Sequence, residues 1–160
     1  PQDVPRFRQL SVIANMQPGF CCGADELGPV KIDSWNSLLK DGAKLTFSSD
    51  WPCTWPPDPL AGIEEAVTRE IQRDVTPHGP VGEVRYNQPG ERLSVEQAVL
   101  AYTRDAAYAN FAEKLTGTLE AGKFADLAVL SSDIFSAKPE DIGKTRVTMT
   151  IVGGKIVFRQ

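Results

Sequence analysis

Residues 44–52 are the stretch that most constrains the fold of this chain. Leu45 and Phe47 are apolar, and the run stops at Pro52, which cannot donate a hydrogen bond to a sheet ladder. This pattern predicts a short strand over residues 44–49 that ends next to Asp50. The strand would therefore deliver a carboxylate at its carboxyl end.

A helix is predicted soon after this strand. Asp58 is a suitable N-cap, Pro59 suits the first helical position, and apolar spacing extends the helix to about Arg73. Strand, acidic residue, loop and helix in this order are typical of a parallel α/β unit. Such folds carry their chemistry on loops at the carboxyl ends of the strands, which makes Asp50 the first candidate site residue.

The first third of the chain predicts two helix-then-strand steps. Residues 3–10 favour a short helix capped by Asp3, and residues 12–17 favour a strand that Pro18 ends. A second helix over residues 34–40 has Ser34 as its N-cap and Gly42 after its end.

The pattern changes after the helix that begins at Pro59. Residues 76–92 are rich in proline and glycine and predict a long, mobile loop. Ser94 and Gln97 fit a capping box, which predicts one long, well-buried helix to about Phe111. An apolar strand over 125–130 and two β-branched runs around Gly153 and Gly154 then predict a small antiparallel sheet.

Composition limits the partners and the compartment. With 41% hydrophobic residues and a formal net charge of -4, the chain is ordinary globular material without a surface for nucleic acid or an anionic membrane. No apolar run approaches the ~20 residues that span a bilayer. Three cysteines, two of them adjacent, favour reduced thiols and a cytoplasmic protein. A helix that begins almost at Pro1 suggests a piece of a longer parent.

Four motifs together carry a resemblance to a known family. They are residues 47–52, Tyr102-Thr103 followed by Ala106-Ala107, residues 117–130, and residues 152–155. In this order they resemble the carboxyl-terminal part of a metal-dependent amidohydrolase of the amidohydrolase-3 branch. The resemblance implies an α/β fold: the last units of a (β/α)8 TIM-type barrel, about strands seven and eight, over residues 1–112. A small composite β domain would follow over residues 113–160.

The resemblance also implies a role for Asp50. In the family, the aspartate after strand eight binds the catalytic metal and carries a proton from the attacking water to the leaving nitrogen. The family's histidine ligands are missing, because the sole histidine is His78, in the predicted loop. One carboxylate does not hold a metal, so a divalent ion, expected to be zinc, would be bound only in the full-length parent. Without the resemblance to the family, the sequence would predict that Asp50 is a cap or turn residue after a strand.

Other residues near the predicted site have alternative interpretations. Trp51 and Trp55 either form the apolar wall of a substrate pocket or pack the loop down. His78 is either a metal ligand or substrate contact, or a solvated loop residue. Cys21, Cys22 and Cys53 could form a metal site of three thiolates together with the Asp50 carboxylate, but adjacent cysteines rarely bind one ion. The simpler interpretation is that the three cysteines are small side chains that line the pocket.

Two charged residues of the C-terminal motif are expected to be structural. The family context predicts that Asp126 is satisfied by nearby backbone in the small β domain, and Lys123 is predicted to be a turn residue.

The resemblance implies hydrolysis of carbon–nitrogen bonds other than peptide bonds, in a small amide or cyclic amide substrate. The chain by itself is expected to be inactive and to associate with a missing N-terminal portion or with itself. The alternative is a non-catalytic binding or assembly module derived from an amidohydrolase.

Overall fold

The computed structural model describes residues 2–18, 34–52, 57–70 and 88–160 of the chain. These ranges form a mixed α/β structure with small sheets. The helices are α1 (Val4–Gln9), α2 (Trp35–Lys40), α3 (Pro59–Thr68), α4 (Val95–Tyr102) and α5 (Arg104–Ala109). The strands are β1 (Ile13–Met16), β2 (Lys44–Phe47), β3 (Leu127–Leu130), β4 (Val147–Val152) and β5 (Lys155–Arg159). Two 3-10 helices span Pro89–Glu91 and Pro139–Lys144.

Strands β1 and β2 pair in parallel, as the helix-then-strand order predicts. The register runs from Ile13 opposite Lys44 to Met16 opposite Phe47. The backbone N–H of Ser48 donates to the Met16 carbonyl at 3.0 Å and extends the ladder one residue beyond β2. Both strands are shorter than predicted. The predicted ranges are 12–17 for β1 and 44–49 for β2, and the strands span Ile13–Met16 and Lys44–Phe47.

The helices cover one face of this strand pair. Ala14 of β1 and Leu45 and Phe47 of β2 point to the same face of the strand pair, and all three are buried. The Phe47 ring lies 5.3 Å from the rings of both Trp35, on α2, and Tyr102, on α4. These contacts place the main apolar core between the parallel strands and their helices.

Helix α2 is ended by residues next to it in the sequence, but its first turn is capped by a residue far along the chain. Gly42 has a φ of 85°, and the amides of Gly42 and Ala43 donate to the carbonyls of Leu39 and Leu38, which is a Schellman motif. Ser34 occupies the predicted N-cap position, yet its side chain makes no capping hydrogen bond among the described residues.

Glu91 supplies the missing cap on α2. Its buried carboxylate accepts from the backbone N–H of Ser37 at 2.9 Å and from the Ser37 hydroxyl at 2.5 Å. Asn36 adds a side-chain hydrogen bond to the Gly90 carbonyl at 2.8 Å. The prediction that the Ser34 side chain caps this helix is therefore wrong, because a carboxylate 54 residues away satisfies the amide instead.

Helix α3 begins as predicted and ends early. The Asp58 carboxylate accepts from the Leu60 N–H at 2.9 Å, which confirms the N-cap. The predicted extension to Arg73 is wrong, because Arg69 takes a left-handed conformation with a φ of 62°. The buried Arg69 guanidinium lies 4.1 Å from the centre of the Trp35 ring, so a tertiary contact stabilises this helix end.

The helix predicted after Ser94 is two helices. The capping box is confirmed, since Ser94 and Gln97 exchange hydrogen bonds between their side chains and backbones. The helix is then interrupted at Thr103, whose hydroxyl donates to the Val99 carbonyl at 2.7 Å, and α5 begins at the next residue. Only Ala98 and Ala101 of α4 are fully buried, so the expected long, well-buried helix is wrong.

The C-terminal strands form an antiparallel sheet in the order β3-β4-β5. Gly153 and Gly154, both with positive φ, make the turn between β4 and β5, as the paired glycines predict. Every residue of β5 is exposed. Among the described residues, no helix has the length and apolar character needed to cross a membrane.

Helix α3 docks onto the second 3-10 helix, Pro139–Lys144, and so joins the two halves of the structure. Ile142 is completely buried in the core. The buried Glu64 carboxylate accepts from the Gly143 N–H at 2.6 Å. A Cβ on Gly143 would lie 2.9 Å from a Glu64 carboxylate oxygen, so a side chain there would require the Glu64 carboxylate to shift.

Glu64 is expected to make stability fall as pH rises above about 4.5, its ordinary pKa. Burial raises the pKa of Glu64, although the Gly143 N–H and the charge of Lys144 act in the opposite direction; Asp141 and Glu140 add to the rise. The folded chain therefore keeps a proton that the unfolded chain has lost, and stability declines with pH up to the folded pKa. Glu64→Gln, which can still accept from Gly143, should flatten this decline in urea unfolding measured from pH 4 to 8.

Glu96→Gln is the control for this measurement, because Glu96 is exposed on the first turn of α4. It should leave the pH dependence close to that of the unchanged chain. An equal pH dependence in the Glu64→Gln and unchanged chains would contradict the assignment to Glu64.

Candidate active site

Asp50 lies three residues beyond the end of β2, at the carboxyl end of the parallel pair. Its side chain is exposed, and its backbone is left-handed with a φ of 52°. Aspartate and asparagine adopt this conformation more readily than other residues with a Cβ. The structure thus presents an accessible carboxylate where the strand pattern predicts one.

The face of the strand pair opposite the helices is polar. Thr46 donates to the Asn15 side-chain oxygen at 3.1 Å, and Gln17 Nε2 donates to the Ser48 hydroxyl at 3.1 Å. Each bond joins the two neighbouring chain segments on that face, and the second lies two residues before Asp50. Sequence reasoning missed these polar pairs, although alternation with the apolar core residues is a signal that could have found them.

Trp51 is 61% exposed, and its backbone N–H donates to the Ser49 hydroxyl at 3.3 Å. The contribution of Trp51 to a pocket wall stays a prediction. The interpretation that Trp51 packs the loop down also stays a prediction, because residues 53–56 of that loop lie outside the described residues.

Several predicted site residues lie outside the described residues. They are Trp55, His78, Cys21, Cys22 and Cys53. Most of the loop predicted over 76–92 is outside as well, and its described end contains the 3-10 helix Pro89–Glu91. The hypotheses on these residues stay predictions.

The described residues do not make a complete metal site. Within residues 2–18, 34–52, 57–70 and 88–160, no group of three or more His, Cys, Asp or Glu side chains could hold a metal ion. Asp50 fits a metal as one ligand, because its carboxylate is exposed at the strand end. A zinc site needs three or more protein ligands, so Asp50 alone would not hold zinc.

Asp126 is structural, as predicted. Its carboxylate accepts from the Gly153 N–H at 2.7 Å and so fixes the turn between β4 and β5. Lys123 is also held in a turn, because its ammonium donates to the Thr118 hydroxyl at 2.5 Å and lies 3.3 Å from the Glu120 carboxylate. Neither residue is a catalytic candidate.

The described structure has a parallel strand pair packed against helices, with an accessible aspartate beyond its carboxyl end, which is where parallel α/β proteins carry their sites. The profile of the amidohydrolase family matches residues 1–158. This chain therefore belongs to the amidohydrolase family.

Named relatives agree with this membership. YtcJ of Bacillus subtilis, which is named as an amidohydrolase, is 30% identical over 98% of this chain and 30% of its own length. The N-substituted formamide deformylase of Arthrobacter pascens is 26% identical over 97% of this chain and 28% of its own length. The chain thus spans about 30% of the length of these relatives.

A solved structure extends the likeness to the fold. The crystal structure of an uncharacterized metal-dependent hydrolase from Pyrococcus horikoshii superposes with a TM-score of 0.64 at 26% identity. The match covers 87% of this chain and 28% of that protein. This chain therefore shares the fold of one part of a protein described as metal-dependent.

Proposed function

We propose that this chain is the C-terminal portion of a metal-dependent amidohydrolase that hydrolyses carbon–nitrogen bonds other than peptide bonds. The expected substrate is a small amide or cyclic amide. One observation carries the proposal: an exposed aspartate follows the second of two parallel strands in a chain of the amidohydrolase family. The name of the formamide deformylase relative supports a carbon–nitrogen substrate.

In this proposal, β1 and β2 are strands seven and eight of a (β/α)8 barrel. The parallel register, the helices on one face and the polar opposite face support it, because barrel strands are covered by helices on the outside. Residues 1–112 would belong to the barrel and residues 113–160 to a small β domain.

Asp50 has two roles in the proposed chemistry. A bound divalent metal, expected to be zinc, would lower the pKa of water towards ~7. The Asp50 carboxylate would be one ligand, and it would accept a proton from the attacking water and return it to the leaving nitrogen. The exposed Trp51 ring, together with Trp55, would supply an apolar wall for the substrate.

The chain would need a further protein surface to become active. Among the described residues, the parallel pair has no further strand at either edge, and the sheet that ends at β5 exposes Ile156, Val157 and Phe158 at 54%, 61% and 48%. We propose that a longer N-terminal portion covers these surfaces and supplies the other ligands, with self-association as the outcome in its absence. A cytoplasmic location is part of the proposal, and the odd number of cysteines supports it.

The exposed β5 also favours a second candidate function. A chain of this family without the histidine ligands could serve as a non-catalytic assembly module that binds through this sheet. Metal binding separates the two functions, because an assembly module has no use for a completed metal site.

Sedimentation and metal analysis of the chain, alone and mixed with the N-terminal portion of a longer parent, test the proposal. The chain alone should self-associate and hold no stoichiometric zinc, whereas the mixture should form a complex that retains zinc and hydrolyses amides. A complex without zinc would favour the assembly module. A stable, well-packed monomer over a wide concentration range would contradict the need for a covering partner.

A further inference from the structure

We propose that Gln17 is a positioning residue for Asp50 and acts through the hydroxyl of Ser48. The proposal rests on the role given to Asp50 above. It concerns what holds this carboxylate in place once the chain has left the sheet.

Two hydrogen bonds hold Ser48 against the end of β1. Gln17 Nε2 donates to the Ser48 hydroxyl at 3.1 Å, and the Ser48 backbone N–H donates to the Met16 carbonyl at 3.0 Å. The first bond restrains the side chain of Ser48 and the second restrains its backbone. Together they form what we call the Ser48 clamp, made by Met16, Gln17 and Ser48.

The clamp lies close enough to control Asp50. Only Ser49 separates Ser48 from Asp50, so the two Cα atoms are at most about 7 Å apart. Asp50 itself is exposed and has a left-handed backbone, so the chain turns away from the strand direction there. We infer that a displacement of Ser48 would also displace the Asp50 carboxylate, because only one residue lies between them.

Accurate placement matters for the proposed reaction. A group that moves a proton must stay within hydrogen-bond reach of both the atom that loses it and the atom that gains it. Small misplacements of catalytic groups are costly to the rate, whereas they change substrate binding much less. A positioning residue for Asp50 should thus affect kcat more than KM.

The same face of the strand pair supplies a matched control. Thr46 donates to the Asn15 side chain at 3.1 Å, the same length as the bond between Gln17 and Ser48. This bond also joins β1 to β2, but it lies two residues further from Asp50. If these bonds only stabilise the sheet, removing either one should have similar consequences.

The test compares Gln17→Ala, Ser48→Ala and Thr46→Val in the 160-residue chain and in the complete enzyme. In the chain, Gln17→Ala and Ser48→Ala should increase the amplitude of Asp50 backbone motion in ¹⁵N relaxation, while Thr46→Val should not. In the enzyme, the first two variants should lower kcat about tenfold at unchanged KM, the equivalent of one lost hydrogen bond.

Two further variants sharpen this result. Ser48→Thr retains a hydroxyl and should keep kcat near the unchanged value. The double variant Gln17→Ala with Ser48→Ala should be no slower than either single variant, because both remove the same bond.

The proposal is overturned if Thr46→Val changes Asp50 motion and kcat as much as Ser48→Ala does, or if Ser48→Ala changes neither. Failure of the proposed function is a separate outcome. It would show as an active Asp50→Asn enzyme, whereas the relaxation comparison in the chain still tests whether the clamp restrains Asp50.

Discussion

Asp50→Asn is expected to lower kcat of the complete enzyme about 10³-fold, within the range that general acid–base groups contribute. The amide cannot accept a proton from water at neutral pH, and it is a poorer metal ligand than a carboxylate. Asparagine is the informative substitution, because it tolerates the φ of 52° at this position and should leave the fold intact. Steady-state kinetics, with metal content measured on the same sample, would report the effect.

Asp58→Asn is the matched control for this variant. Asp58 lies eight positions further along and loses the same charge, but its carboxylate caps α3 through the Leu60 N–H. Asparagine is an equally good N-cap, so activity and stability should stay close to those of the unchanged enzyme. Near-normal turnover in Asp50→Asn, or an equal loss in Asp58→Asn, would argue against Asp50 as the metal ligand and proton carrier.

Gly117→Ala is expected to lower the free energy of unfolding by about 3 kcal/mol, the sum of about 1 kcal/mol for a left-handed backbone and about 2 kcal/mol for overpacking. Gly117 has a φ of 88°, and a Cβ there would lie 2.5 Å from the Ala107 Cβ. It would also lie 3.1 Å from the Thr103 carbonyl oxygen, a backbone atom that cannot move independently. The cost is therefore both conformational and steric.

Gly122→Ala separates the two contributions. Gly122 has nearly the same backbone angle, a φ of 92°, but no atom of the described residues lies within 4 Å of the position of its Cβ. This variant should lose only about 1 kcal/mol. Urea unfolding of both variants, at a concentration where sedimentation shows one species, gives the comparison. Equal losses would mean that the close approach to Ala107 and Thr103 has no energetic consequence.

The sequence alone determined the features that depend on neighbouring residues. Asp58 as N-cap, the Ser94 capping box and the Gly153-Gly154 turn are all present as predicted. Each rests on backbone groups a few positions away, so the same residues that carry the signal also satisfy it. The parallel pairing of β1 with β2 followed from the order of elements.

Only part of the candidate site could be predicted from the sequence. The sequence placed an aspartate at the end of a strand, and the structure puts Asp50 there. It did not indicate that this backbone is left-handed, or that Gln17 reaches Ser48, which lies 31 positions further along the chain. Such a bond exists only because two strands lie side by side in one particular register.

Tertiary structure alone decided where helices stop and how the two halves join. Arg69 ends α3 while it packs on Trp35, Glu91 caps α2 from 54 residues away, and Glu64 binds Gly143 across 79 residues. In each case a buried polar or charged group must find a partner, and the partner is whichever element packing brings into contact with it, through a hydrogen bond for Glu91 and Glu64 and an aromatic ring for Arg69. Local sequence preferences are worth too little, about 1 kcal/mol per residue, to override that requirement.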